Sequence, residues 1–260
     1  MAAVDLALEV DDAAVAVAPR LYVGLCDTAA VGARAVLALS APEGGRVASS
    51  AVRLAGGGAA AWPRRAFVAD EGRWAGREAR AELVTVYDPA GAPVASGLSV
   101  LCAVPRLQEQ ALARAVERLA GESAVEETTV VAGLRVEGSD GPWPPLAVPV
   151  NGGGKGLLQA GVQPLHPESP VSDGAVAALL HALAAAGRRA AALAVPSHRA
   201  PAGSDGREES SLVAARAACA VLAEVSGCGC PWGDDVGALR ATTRWFEAED
   251  FSAGGASMFV

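Results

Sequence analysis

The chain has 260 residues, a formal charge of −8 and an apolar fraction of 52%. This is room for one large domain or two small ones, with ample side chain for a core, so wholesale disorder is excluded. The acidic balance argues against a nucleic-acid groove, no apolar run is long enough for a membrane span, and five scattered cysteines make no disulfide framework. Met1–Val10 carries Asp5, Glu9 and no basic cluster, unlike a signal peptide. The expectation is a soluble cytosolic (cytoplasmic) or nuclear protein in a reducing compartment.

Leu21–Leu25 (LYVGL) predicts a short buried strand. Asp27 or Thr28 then caps a helix over Ala29–Leu39, although Val36, Leu37 and Leu39 also fit a strand. Glu43–Gly76 is glycine-rich and predicts loops with one strand near Ala66–Ala69. Ala81–Tyr87 alternates, Asp88-Pro89-Ala90-Gly91 signals a turn and Leu98–Val104 returns, which together predict a β-hairpin. Pro105–Gly121 predicts a helix with Leu107, Ala111, Leu112, Ala115, Val116 and Leu119 on one face and Gly121 as its stop. Thr128–Val136 is the next strand.

Gly138–Pro170 is the longest irregular stretch, with one short strand at Leu146–Val150. Ser172 or Asp173 caps a helix striped by Val176, Leu179, Leu180 and Leu183 and ended by Gly187. Ala190–Val195 has no polar face, as in a sheet covered on both sides. Ser197–Gly206 is a polar loop and Ser210–Val225 a second helix. Gly227–Gly233 breaks it, and a last helix is expected over Asp234–Phe246. The order predicts a single α/β domain, with a central mostly parallel or mixed sheet flanked by helices.

Few residues suggest chemistry. Asn151-Gly152-Gly153-Gly154-Lys155-Gly156 resembles a phosphate loop but lacks the Gly-Lys-Ser/Thr ending and a clear strand-to-helix setting, so it reads as a plain flexible loop. Cys228 and Cys230 offer two ligands where structural zinc takes four, and Cys26, Cys102 and Cys219 read as small core residues. His198 follows Ser197 at a strand end, where α/β proteins often place active sites, but no Gly-x-Ser-x-Gly elbow accompanies it. His181 sits mid-helix and His166 in a proline-bearing loop, and both read as ordinary histidines. No catalytic residue, metal or cofactor is assigned.

Residues 1–251 form the expected body, and 252–260 a flexible tail. Ser252–Ser257 is all small residues, and Met258, Phe259 and Val260 follow as an apolar plug ending in a carboxylate. Extended, the tail reaches roughly 30 Å at ~3.4 Å per residue. Such an end suits a pocket that buries two side chains and captures a terminal carboxylate, the alternative being an ordinary frayed end.

The element order and the tail together resemble the proteasome assembly chaperone 1 family. The resemblance runs in outline from Leu21 to Val260. It rests on Leu21–Leu25 before a small-residue helix, Glu82–Tyr87, Val100–Val104, Val116–Leu119, Thr129–Gly133, and Asp173–Leu180 leading into Ala190–Leu193. Met258, Phe259 and Val260 are similar to the family's C-terminal hydrophobic–Tyr–any motif, with Phe259 in place of tyrosine and so without its hydroxyl. The resemblance implies a nucleoside-phosphorylase-like fold without catalysis and a heterodimer with proteasome assembly chaperone 2. It also implies a tail that enters a pocket between α subunits of the 20S proteasome. The alternatives are an enzyme of the nucleoside phosphorylase type or an unrelated cytosolic scaffold.

Overall fold

Alternating apolar residues in the first half and continuous apolar runs in the second build one mixed sheet between two helical layers. The computed structural model describes residues 6–12, 15–25, 30–56, 67–69, 81–101, 104–134, 144–166, 173–197, 205–230 and 243–245. The first half contains β1 (Leu6–Val10), β2 (Arg20–Gly24), α1 (Val31–Leu37), β3 (Arg46–Gly56), β4 (Phe67–Ala69), β5 (Ala81–Tyr87) and β6 (Pro93–Val100). A 3-10 turn at Arg106–Gln108 leads into α2 (Glu109–Glu122), then β7 (Glu127–Leu134) and β8 (Leu146–Val150). The remainder is α3 (Lys155–Gln159), β9 (Gln163–Pro164), α4 (Gly174–Ala185), β10 (Ala190–Pro196), α5 (Asp205–Ser226) and β11 (Thr243–Trp245).

Nine strands pair in the order β1-β3-β5-β6-β2-β7-β10-β8-β9, so the sheet is mixed. Its centre, β6-β2-β7-β10, is parallel. Antiparallel pairing extends it through β5, β3 and β1 on one side and β8 on the other. The β5–β6 hairpin forms as expected, with the Asp88 carboxylate accepting the Ala92 N–H at 2.8 Å.

Side chains alternate across each strand, and this divides most of the core between the two faces of the sheet. Leu21 and Val23 of β2 and Val130 and Ala132 of β7 join Leu112 and Val116 of α2 and Leu179 and Leu183 of α4. Tyr22, Val131 and Leu193 belong to the opposite cluster, with Val31 and Val36 of α1, Leu157 of α3 and Ala215, Ala218 and Leu222 of α5. β10 is buried along Ala190–Val195 because helices cover both of its faces. Asp173 is the cap of α4, its carboxylate accepting the Val176 N–H at 2.9 Å.

A buried hydroxyl pair fastens the segment that enters β2. Thr85 Oγ1 and Ser96 Oγ lie 2.7 Å apart on neighbouring strands. The Thr85 hydroxyl also reaches the Ala16 carbonyl at 2.7 Å, and the Ala18 N–H donates to Ser96 Oγ at 2.8 Å. Otherwise unpaired backbone groups of residues 16–18 are thus satisfied away from water.

Several expectations are corrected. Arg46–Gly56 is an eleven-residue strand within the stretch read as loops, because alternate partners on β1 and β5 supply the ladder that glycine-rich surroundings obscured. β1 also went unread, because the strand it pairs with, β3, lies far along the chain. The Ala29–Leu39 segment is a helix only over Val31–Leu37, entered through Ala30 in the left-handed region. The returning hairpin strand spans Pro93–Val100 rather than Leu98–Val104. α2 continues past Gly121 to Glu122, with Ser123 as its cap. α5 begins at Asp205, earlier than Ser210. The Gly138–Pro170 stretch contains β8 as expected, and also α3 and β9. No described helix is long and apolar enough to cross a membrane.

Candidate functional site

Met258, Phe259 and Val260 lie outside the described residues, as do Cys26, Cys102 and His198. The described piece of the chain closest to the tail in sequence is β11. It pairs antiparallel with β4, placing Thr243 opposite Ala69, Arg244 opposite Val68 and Trp245 opposite Phe67. Residues 243–245 are therefore strand, where the expected helix over Asp234–Phe246 would have ended. Thr243 and Trp245 are strand-favouring types, but the deciding partner sits far back in the chain, between β3 and β5.

The Asn151–Gly156 turn is a fixed structure rather than a plain flexible loop. β8 leads into it and α3 leads out, a strand-to-helix setting that the sequence reading did not find. The Asn151 side-chain amide donates to the Ala184 and Arg188 carbonyls at 3.0 and 3.2 Å. A Cβ on Gly153 would fall 2.3 Å from the Ala190 carbonyl oxygen, so this position needs glycine to let two backbones touch. The Gly154 N–H donates to Glu127 Oε1 at 2.9 Å, and Glu127 Oε2 pairs with Arg189 at 3.2 Å. A carboxylate of the protein itself thus takes the Gly154 amide, one donor that a phosphate loop would offer.

The carboxyl ends of the parallel strands form the other classical location for a site. Here the β2–α1 junction is closed by backbone contact. A Cβ on Gly32 would sit 1.9 Å from the Val131 carbonyl oxygen, and one on Gly24 2.4 Å from the Gly32 carbonyl oxygen. The Leu25 carbonyl takes the Ala33 N–H at 3.0 Å, and the Ser99 hydroxyl donates to the Ala33 carbonyl at 3.0 Å. Arg34 and Glu82 are buried at this edge, each with an interaction partner. The sequence reading passed over both, since Arg34 lies among small residues and Glu82 inside an apolar strand. Ser197 is buried after β10, its N–H bonded to the Leu134 carbonyl at 2.9 Å. His166 and His181 are exposed.

The cysteines give the most concentrated chemistry. Cys219 of α5 is buried, and its thiol is in hydrogen-bonding contact with that of Cys230. That contact, together with burial and nearby Cys228, pushes the Cys219 thiol far up. Burial also raises Cys228, partly offset by Ser226 and Arg20. Beside them, burial pushes the Tyr22 phenol up to about 12 against the smaller opposing effects of Arg20 and Ser226. Among the described residues, no group of three His, Cys, Asp or Glu is arranged to hold a metal ion.

No protein-family model matches the chain, and no curated protein matches it in sequence. Solved structures do match. PbaB of Pyrococcus furiosus, an archaeal proteasome activator, is 14% identical, with a TM-score of 0.60 over 90% of this chain and 93% of that one. PbaA of the same organism, an archaeal homolog of proteasome-assembly chaperone, is 14% identical, with a TM-score of 0.60 over 87% and 88%. A PAC2 family protein of Streptomyces avermitilis is 17% identical, with a TM-score of 0.53 over 85% and 92%. The chain shares their fold. Within this fold, the glycine turn and the β2–α1 junction bring backbone against backbone.

Proposed function

We propose that the protein is a non-catalytic chaperone of 20S proteasome assembly. It pairs with proteasome assembly chaperone 2 in the cytosol or nucleus and docks Met258, Phe259 and Val260 between α subunits. The observation that carries this reading is the fold held in common with PbaA and PbaB over most of both chains. The phosphorylase alternative is weakened by the occupied Gly154 amide.

The energetics suit a chaperone that must leave. Burying Met258 and Phe259 contributes roughly 1.5–3 kcal/mol each. A charge-assisted contact to the terminal carboxylate adds ~1.5–3 kcal/mol. Ordering the tether offsets much of this, so one tail binds near the micromolar range or more weakly. A partner chaperone raises the avidity through effective concentration.

Removing Met258–Val260, or extending the chain past Val260, should weaken capture of 20S α subunits in a pulldown by at least about tenfold and leave the melting temperature unchanged. Full-strength capture by both variants removes the tail from the mechanism.

A further inference from the structure

Three of the five cysteines border one apolar cluster near the end of α5, although the sequence offers only the Cys228-Gly229-Cys230 pair as neighbours. Cys219 is 0% exposed, while Cys228 and Cys230 are half-buried and pack against the same cluster. The backbone holds them there. Gly227 ends α5 with a φ of 73°, and the Cys228 N–H donates to Ser226 Oγ at 3.3 Å. Gly229 then forms a two-bond bridge with Ser40, its N–H to the Ser40 carbonyl at 2.8 Å and the reverse bond at 3.1 Å. A Cβ on Gly229 would meet Ser40 Oγ at 2.4 Å, so a side chain here would push that hydroxyl aside. Residues two apart in extended backbone leave on one side, which sends both flanking thiols toward the core.

We propose that Cys219 and Cys230 are an oxidation site, two thiols held ready to close an intramolecular disulfide with a peroxide as oxidant. The two thiols lie within hydrogen-bonding reach of each other on one apolar cluster, the kind of approach from which a disulfide closes. Cys230 has the solvent access and attacks the peroxide oxygen as its thiolate. The O–O bond breaks, Cys230 becomes a sulfenic acid, and the departing oxygen leaves as water after taking up a proton. The Cys219 sulfur then attacks the Cys230 sulfur, and the displaced hydroxide takes the Cys219 proton and leaves as water. In total the two thiols give up two electrons and two protons, and the peroxide becomes two waters. Cys228 stays outside the bond, engaged with Ser226. The disulfide would close the last turns of α5 onto the Ser40 bridge. Nothing in this depends on the proteasome reading.

The test uses the full chain, reduced and then treated with hydrogen peroxide. Alkylation under denaturing conditions and cleavage after Glu224 separate Cys219 from Cys228 and Cys230. The expected result is a protein lighter by two hydrogens, a Cys219–Cys230 linked peptide pair, and reversal by a dithiol. Cys228→Ser should keep the link and Cys230→Ser abolish it, with melting curves confirming that each variant folds. Should either variant fail to fold, peptide mapping of the wild-type protein decides alone. The proposal is overturned by five alkylatable thiols after peroxide, by a sulfinic acid at Cys230 with Cys219 still free, or by a link through Cys228.

Discussion

The two helical layers cover the same sheet by different physics. α2 and α4 stand off from it on branched side chains, with Leu112, Val116, Leu179 and Leu183 filling the gap. α1 lies directly on β2 and β7, where Gly24 and Gly32 let backbone touch backbone. The first layer is a hydrocarbon core that loses stability in proportion to the volume removed. The second, at its α1 contact, has no room to spare and fails when volume is added. The layers also differ in what they bury. The α1–α5 side holds the phenol of Tyr22 and the thiol of Cys219, both pushed upward mainly by burial or by contact with a neighbouring thiol.

Gly32→Ala should break this comparison most sharply. Its new methyl would overlap the Val131 carbonyl oxygen, so α1 must move off the sheet. A loss of more than about 4 kcal/mol is expected by urea denaturation, or no folded protein at all. A variant that melts like the parent would show that α1 is not seated as described. On the other layer, Leu179→Ala should cost about 2–5 kcal/mol while leaving a cooperative transition. A cost near zero would mean that α4 does not carry its share of the core.

The smallest effect separates the layers by pH. In the unfolded chain the Tyr22 phenol titrates near 10, and in the fold it is held up to about 12. The folded state therefore keeps its proton longer. Its contribution is complete below pH 10 and is lost as pH rises from about 10 to 12, by roughly 2–3 kcal/mol. Tyr22→Phe should flatten that part of the alkaline denaturation profile. The buried Cys219 thiol titrates in the same direction, so a residual slope remains. An unchanged slope in Tyr22→Phe would place the alkaline sensitivity elsewhere.

Much of the body could be read from local pattern. Alternation in Ala81–Tyr87, the Asp88 turn, the α2 stripe, the Asp173 cap and the doubly buried Ala190–Val195 run each draw on residues within a few positions of one another. The Asn151–Gly156 turn shows the limit. Its glycines are visible in sequence, but Glu127, Ala184, Arg188 and Ala190, which decide what they do, are not adjacent to them. The resemblance to proteasome assembly chaperones drew on element order and a tail. The fold comparison supports the order and leaves Met258, Phe259 and Val260 to experiment.

Sequence alone determined which segments turn apolar with period two or with helical spacing, because those signals arise between near neighbours in the chain. Tertiary structure alone decided that Arg46–Gly56 is a strand, that Thr243–Trp245 returns to pair with Phe67–Ala69, and that Cys219 meets Cys230. Each of these depends on a partner supplied from elsewhere in the chain. A backbone N–H or a thiol carries no local mark of the distant group that will satisfy it.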